Sequence, residues 1–200
     1  MATDVPLRCR CGKLTGTVRE LSPGTGTRIV CYCNDCQAFA RFLGRDDITD
    51  TWGGTDIFQM APARVRIDLD DDALRSMRLS AKGLFRWYCG HCKTPVANTI
   101  NGRVPFVGLL TPFIDLERAG TTLDALLGPP IGHIYTSAAL DGGPPHATQK
   151  SMVPVITRSV RKLVGSFLNG TSSPSPFFDP KRRTPRIEPR VLSPEERGAL

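Results

Sequence analysis

Seven cysteines fall in three tight clusters: Cys9-Arg10-Cys11, Cys31-Tyr32-Cys33-Asn34-Asp35-Cys36 and Cys89-Gly90-His91-Cys92. None stands apart. Cys-x-Cys and Cys-x-x-Cys turns readily aim two thiolates at one ion, whereas Cys-x-Cys is an awkward span for a disulfide. In a reducing compartment such clusters read as metal ligands. A structural zinc takes four protein ligands in a closed tetrahedron; a catalytic zinc takes three and keeps one position open. Seven cysteines divide naturally as four plus three. Cys9, Cys11, Cys89 and Cys92 would then hold one structural Zn2+. The triplet Cys31, Cys33 and Cys36 would hold a second, open or exchangeable Zn2+ and form the catalytic site. The spacing also allows the triplet to pair with Cys9 or Cys11, or to be completed by His91, Asp35 or His133. His91, inside a knuckle, reads first as an exposed turn residue, and His133 as a structural histidine on a strand.

A thiol bound at such an open zinc would ionise at neutral pH. Arg8, Arg10 and Arg41 flank the clusters and are the candidate substrate-binding residues, as partners for carboxylates.

The elements that must carry these residues are mostly strands. Residues 5–20 read as extended segments interrupted by a knuckle at Leu7 to Gly12. Thr27 to Tyr32 is a strand running into the triplet. Asn34 reads as the N-cap of a helix over 35–43, with Gly44 as its stop, which puts Cys36 in the first turn where a thiolate is favoured. Thr55 to Met60 is a strand. Ala63 to Leu69 alternates apolar and polar residues and pairs, as a hairpin around Asp70-Asp71-Asp72, with Leu74 to Ser80. The acidic turn lacks the ligand spacing of a calcium loop. Leu84 to Tyr88 leads into the last cysteine pair. Pro95 to Ile100 and Pro105 to Leu110 form a hairpin around Asn101-Gly102. A short helix falls within 116–127, and Ile131 to Thr136 is the last strand of residues 1–150.

After the Gly/Pro-rich break at 141–145 the composition changes. An amphipathic helix over 152–168 carries Val153, Ile156, Val160, Leu163, Val164 and Phe167 at helical spacing. It ends at Asn169-Gly170. That stripe is expected to dock onto the domain or a second subunit. A Pro-rich basic tail follows, read as extended or partly disordered. The formal net charge of +7 is uneven: residues 1–150 carry 17 Lys/Arg against 15 Asp/Glu, and residues 151–200 carry 9 against 4. The basic tail lacks a nucleic-acid motif, so nucleic acid is not the expected partner. With 40% hydrophobic residues and no long apolar run, a packed domain in the cytoplasm is expected, with no membrane partner.

Arg8-Cys9-Arg10-Cys11-Gly12, then Cys31 to Cys36, then Cys89-Gly90-His91-Cys92-Lys93-Thr94-Pro95 resemble the glutathione-dependent formaldehyde-activating enzyme family, which includes centromere protein V. The strand His133-Ile134-Tyr135 is similar to one near the end of that domain. The chain departs from the family pattern at Gln37-Ala38-Phe39-Ala40 and at Lys93. The resemblance implies a mainly β protein. Its domain, residues 1–150, would be a zinc-stapled β-tent of packed antiparallel sheets, followed by a C-terminal extension over 151–200. It implies a closed zinc at Cys9, Cys11, Cys89 and Cys92 and an open one at Cys31, Cys33 and Cys36. It also implies carbon–sulfur lyase activity on a small thiol such as glutathione, as its adduct with a small aldehyde. A homodimer is compatible with this reading. The alternative is a non-catalytic zinc module that binds protein or nucleic acid.

Overall fold

β1 (Thr3–Arg8) and β2 (Thr15–Leu21) pair antiparallel, with Val5 opposite Val18 and Leu7 opposite Gly16. Val5 and Leu7 in β1 and Gly16 and Val18 in β2 are buried, as the two-residue period of a half-buried sheet requires, and a register shift beyond Val18 brings Leu21 to a buried position as well. β5 (Val65–Asp68) joins the open edge of β2 and completes a three-stranded sheet. Gly16 lies opposite Ile67, and a side chain there would run into the Arg66 carbonyl. The coordinates, a computed structural model, describe residues 2–68, 72–144 and 152–200.

The second sheet holds β3 (Gly26–Cys31), β4 (Thr55–Met60), β6 (Leu74–Arg78), β7 (Phe85–Cys89), β8 (Pro95–Thr99) and β9 (Val107–Leu110). It also holds two-residue edges, β10 (His133–Ile134) and β11 (Arg190–Val191). Its eight strands run in the order β10-β3-β4-β9-β8-β7-β6-β11. The inner pairings are antiparallel, and the two outer ones, β10 with β3 and β11 with β6, are parallel. The protein is thus mainly β, with mixed sheets and mostly short helices. No helix among the described residues is long and apolar enough to cross a membrane.

The expected hairpin between residues 63–69 and 74–80 does not form. β5 is taken by β2 and β6 by β7, so the chain passes there from one sheet to the other. Leu69, Asp70 and Asp71 lie outside the described residues. The hairpin of β8 and β9 does form, with Ala97 opposite Leu109. Two short helices, α2 (Leu116–Ala119) and α3 (Leu123–Leu127), occupy the expected helical stretch.

The main core lies between the two sheets. Val5, Leu7 and Val18 meet Phe58, Trp87, Val96 and Phe113 there. The other face of the large sheet is covered by helix α1 (Asn34–Leu43), whose Ala38, Phe39 and Leu43 pack on Met77, Tyr88 and Leu110. Both faces of β7 are therefore buried. Phe85, Trp87 and Cys89 point to the main core, leaving Arg86 and Tyr88 on the α1 side.

The C-terminal segment folds back onto this frame, which corrects the expectation of an extended or disordered tail. Phe177 is fully buried with its ring 4.9 Å from Trp87, and Phe178 meets Phe85 edge-on at 5.4 Å. Two aromatic side chains buried in the core outweigh the polar, Pro-rich composition around them. β11 then closes the sheet edge, and α5 (Pro194–Gly198) starts at a full capping box on Ser193 and Glu196.

Helix α4 (Met152–Leu168) spans the expected range. Residues 145–151, which include Pro145 of the break and the boundary between 1–150 and 151–200, are outside the described residues. Its orientation is the unexpected part. Val155 packs on Ile29, Ile57 and Ile134 and Leu163 also faces inward, but their neighbours on that face are polar: Arg158 donates to the Pro23 carbonyl at 3.1 Å, and Ser159 to Gln59 Oε1 at 2.6 Å. Ile156, Val160, Val164 and Phe167 point outward, each 50–58% exposed. The apolar stripe therefore does not dock onto the domain.

Candidate metal centre

Two turns at the ends of buried strands bring the first sulfur cluster together. In the turn after β1, the Cys9 N–H donates to the Leu14 carbonyl at 2.9 Å, and the Leu14 N–H donates to Cys9 Sγ at 3.2 Å. Gly12 takes φ +76°, a left-handed conformation open to glycine. In the turn after β7, the Cys89 N–H donates to the Thr94 carbonyl at 2.8 Å and the Lys93 N–H to the Cys89 carbonyl at 2.9 Å. Lys93 itself takes φ +58°. The Arg10 N–H donates to Thr94 Oγ1 at 3.1 Å and ties one turn to the other.

The sulfurs of Cys9, Cys11, Cys89 and Cys92 all lie within 4.8 Å of one another. Cys9 and Cys11 Sγ are 3.4 Å apart, and Cys11 and Cys89 Sγ 3.8 Å. A disulfide would need about 2.05 Å. A tetrahedron of sulfurs at a zinc–sulfur distance of about 2.3 Å has edges of about 3.8 Å. The four thiols therefore fit a metal ion. Burial pushes the Cys89 thiol up to about 12 and also raises Cys9. Burial works against ionisation at Cys92 too, but hydrogen bonds from the Thr94 hydroxyl and the Cys11 backbone outweigh it and bring Cys92 down to about 6. The set is chemically divided unless a cation takes all four as thiolates.

The second cluster is the triplet Cys31, Cys33 and Cys36, again with all sulfurs within 4.8 Å. Cys31 ends β3 and is fixed from both sides, paired with Thr55 of β4 and with Ile134 of β10. Cys33 occupies the N-cap position of α1, its carbonyl accepting from the Cys36 N–H at 2.9 Å. The expected cap, Asn34, is the first helical residue instead. Gly44 ends the helix as expected, at φ +61°. Cys31 and Cys36 are buried and Cys33 is half-buried. Hydrogen bonding with the Cys31 and Cys36 sulfurs, then with the Cys36 backbone, and last the charge of Arg86 hold Cys33 well below the usual thiol range. The same contacts with Cys33 and Cys36, together with burial, raise Cys31 strongly.

No histidine, aspartate or glutamate among the described residues joins either sulfur group. His133 stacks on Tyr32 with ring centroids 6.1 Å apart, and Tyr32 donates to Asp50 Oδ2 at 2.8 Å. His91 is exposed at its turn. Asp35 turns to two arginines, Arg197 at 2.5 Å and Arg86 at 3.9 Å. Buried Gln37 donates to the Tyr32 carbonyl at 2.8 Å and the Ala138 carbonyl at 2.7 Å, clamping the 135–139 turn against α1.

Of the expected substrate-binding residues, Arg8 and Arg10 are exposed beside the four-cysteine turn, and Arg41 is exposed in the last turn of α1. The arginine whose charge reaches Cys33 and Cys36 is Arg86. Its guanidinium is 2% exposed, lies 5.1 Å over the Phe39 ring and reaches Asn98 Oδ1 only at 3.5 Å. A buried cation so thinly bonded needs anions nearby: Asp35 lies at 3.9 Å, and the Arg86 charge also favours thiolates at Cys33 and Cys36. The signal was present in the sequence, as a lone charge inside the aromatic run Leu84-Phe85-Arg86-Trp87-Tyr88.

The model of a family of unknown function, DUF6151, matches residues 1–188. The chain belongs to that family. This corrects the assignment to the glutathione-dependent formaldehyde-activating enzyme and centromere protein V family, which the chain does not match. The cysteine turns carry the resemblance, and they constrain little beyond their own metal geometry. The matched family, by contrast, runs through α4 and the buried pair Phe177-Phe178. No curated protein matches the chain.

Proposed function

We propose that both sulfur groups bind zinc and that the chain is a zinc-dependent enzyme acting on a small thiol, making or breaking a carbon–sulfur bond to a small aldehyde. The four-cysteine group is the structural site and staples β1 to β7. The observation that carries the reading is the three-sulfur group: three ligands, no fourth His, Cys, Asp or Glu donor among the described residues, and one sulfur half-buried. Zinc held by Cys31, Cys33 and Cys36 supplies the positive centre that lets a small thiol ionise at neutral pH.

The chain's own residues do the rest. The α1 N-terminus and Arg86 offset the negative charge of three thiolates. Gln37 and the Tyr32–His133 stack fix the loop that borders the triplet. In the addition direction the substrate sulfur bonds to the aldehyde carbon, and the thiol proton ends on the former carbonyl oxygen. The balance needs no oxidant or reductant. Glutathione is the first thiol to try, in the cytoplasm or elsewhere.

The test is metal content with thiol competition on the full chain. Two zinc ions per chain are expected, one lost in Cys33→Ser. In the cobalt-loaded protein, glutathione should change the thiolate–cobalt absorption of wild type and leave that of Cys33→Ser unchanged. A single ion indifferent to Cys33→Ser would sink the open site. Two ions with no response to any thiol would leave a purely structural zinc module.

A further inference from the structure

Helix α4 presents its polar face to the protein and its apolar face outward, the reverse of what burial favours. Beneath it, against β3 and β4, is a cavity of about 540 Å3. That volume suits a small organic ligand. Arg64, Arg158, Arg161 and Lys162 line it, and no carboxylate among the described residues does. Arg158 and Lys162 are bonded to neutral backbone carbonyls, of Pro23 and Gly26 and of Gly24. Among the described residues only Arg64 has a carboxylate partner, Glu20, outside the cavity lining at 2.7 Å and 70% exposed. Arg161 makes no ion pair among the described residues. The wall formed by β3 adds Thr27, 1% exposed, whose hydroxyl is buried without a hydrogen-bond partner. Burial and then repulsion from Arg158, Arg64 and Arg161 lower the Lys162 ammonium from its ordinary value.

Four cations gathered around one cavity repel one another, and a buried hydroxyl left unbonded costs stability. Both costs vanish if an anion sits among them. A single carboxylate would leave most of the positive charge uncompensated, whereas a phosphate group carries about two charges and accepts from several donors at once. Met60, Phe106 and Leu163 add an apolar patch to a lining that otherwise holds neutral polar residues such as Gln59, Ser159 and Asn169. We propose that this cavity binds a phosphorylated small organic molecule. Arg158, Arg161 and Lys162 hold the phosphate, Thr27 donates its hydroxyl, and the organic part lies on Met60, Phe106 and Leu163. The site is separate from the cysteine triplet. Thr27 and Cys31 share one face of β3 but stand four residues apart, about 13 Å along a strand. The inverted helix then has a reason: its basic face belongs to the ligand.

The test is calorimetric titration of the zinc-loaded full chain at fixed ionic strength. The probes are inorganic phosphate, pyrophosphate, AMP, ATP and unphosphorylated adenosine. At least one nucleotide should bind and adenosine should not. Because Arg158 and Lys162 also hold the 23–26 loop, the informative variant is Arg161→Glu. It should weaken nucleotide binding about tenfold or more, as loss of a charge-assisted contact does, with zinc content and unliganded melting unchanged. Cys33→Ser should bind as wild type does, which separates this site from the triplet. Failure of every phosphate to bind, binding unaffected by Arg161→Glu, or an equal effect from sodium sulfate would overturn the proposal. Equal affinity for inorganic phosphate and AMP would overturn the role given to the apolar wall.

Discussion

Arg86 decides how the triplet can hold charge. If the triplet holds a divalent ion as proposed, three thiolates leave one net negative charge, and the buried Arg86 guanidinium, shared with Asp35, is the cation placed to offset it. Arg86→Met should lower the triplet's metal affinity about tenfold or more, the usual cost of losing a residue that supports a ligand set. A competing chelator titration would show one weakened ion and one unchanged. Arg86→Lys should recover part of the loss. Equal weakening of both ions would mean the substitution had merely loosened the fold. At this scale the cysteines were the legible part of the sequence, since ligand spacing is local. The grouping of their sulfurs is the one that ligand counting gives. Arg86 is legible only as a lone charge in an aromatic run; what makes it matter is that α1 covers it, and α1 lies more than forty residues away in sequence.

Among the elements, helix ends and single strands could be read and their partners could not. Gly44 and Gly170 stop their helices at positive φ, a backbone fact written in one residue. Which strand takes the edge of β2 is a contest among distant segments, and alternation in residues 63–69 and 74–80 says only that each has an apolar face. The inward face of α4 was misjudged for a similar reason: a stripe of apolar residues marks a side, not the direction in which it points. Phe177-Phe178 was read as part of a basic tail because the residues around it are polar. Phe177→Ala should cost about 3–5 kcal/mol in a urea unfolding curve, the range for removing a fully buried aromatic ring. A value under about 1 kcal/mol would mean the segment lies on the core without contributing to it.

For the molecule as a whole, the two sulfur groups differ in what they join. The four-cysteine group links the end of β1 in the small sheet to the end of β7 in the large one. The triplet lies within one strand end and the helix that follows it. Structural zinc contributes its binding energy directly to folding. Cys89→Ser should therefore abolish cooperative thermal unfolding, whereas Cys33→Ser should keep a single sharp transition. Treatment of wild type with a strong chelator should reproduce the Cys89→Ser behaviour. If both variants melt alike, the sheets are held by their shared apolar core alone.

The same difference sets a timetable for synthesis. The triplet is complete once Cys36 has been added, but the four-cysteine group needs Cys92, another 56 residues later. At roughly 5–20 residues per second, the growing chain offers a finished three-sulfur trap for several seconds while Cys9 and Cys11 wait as half a site. Zinc supplied sparingly would then load in order of translation, not of affinity. The site with least bearing on the fold would be the first to fill.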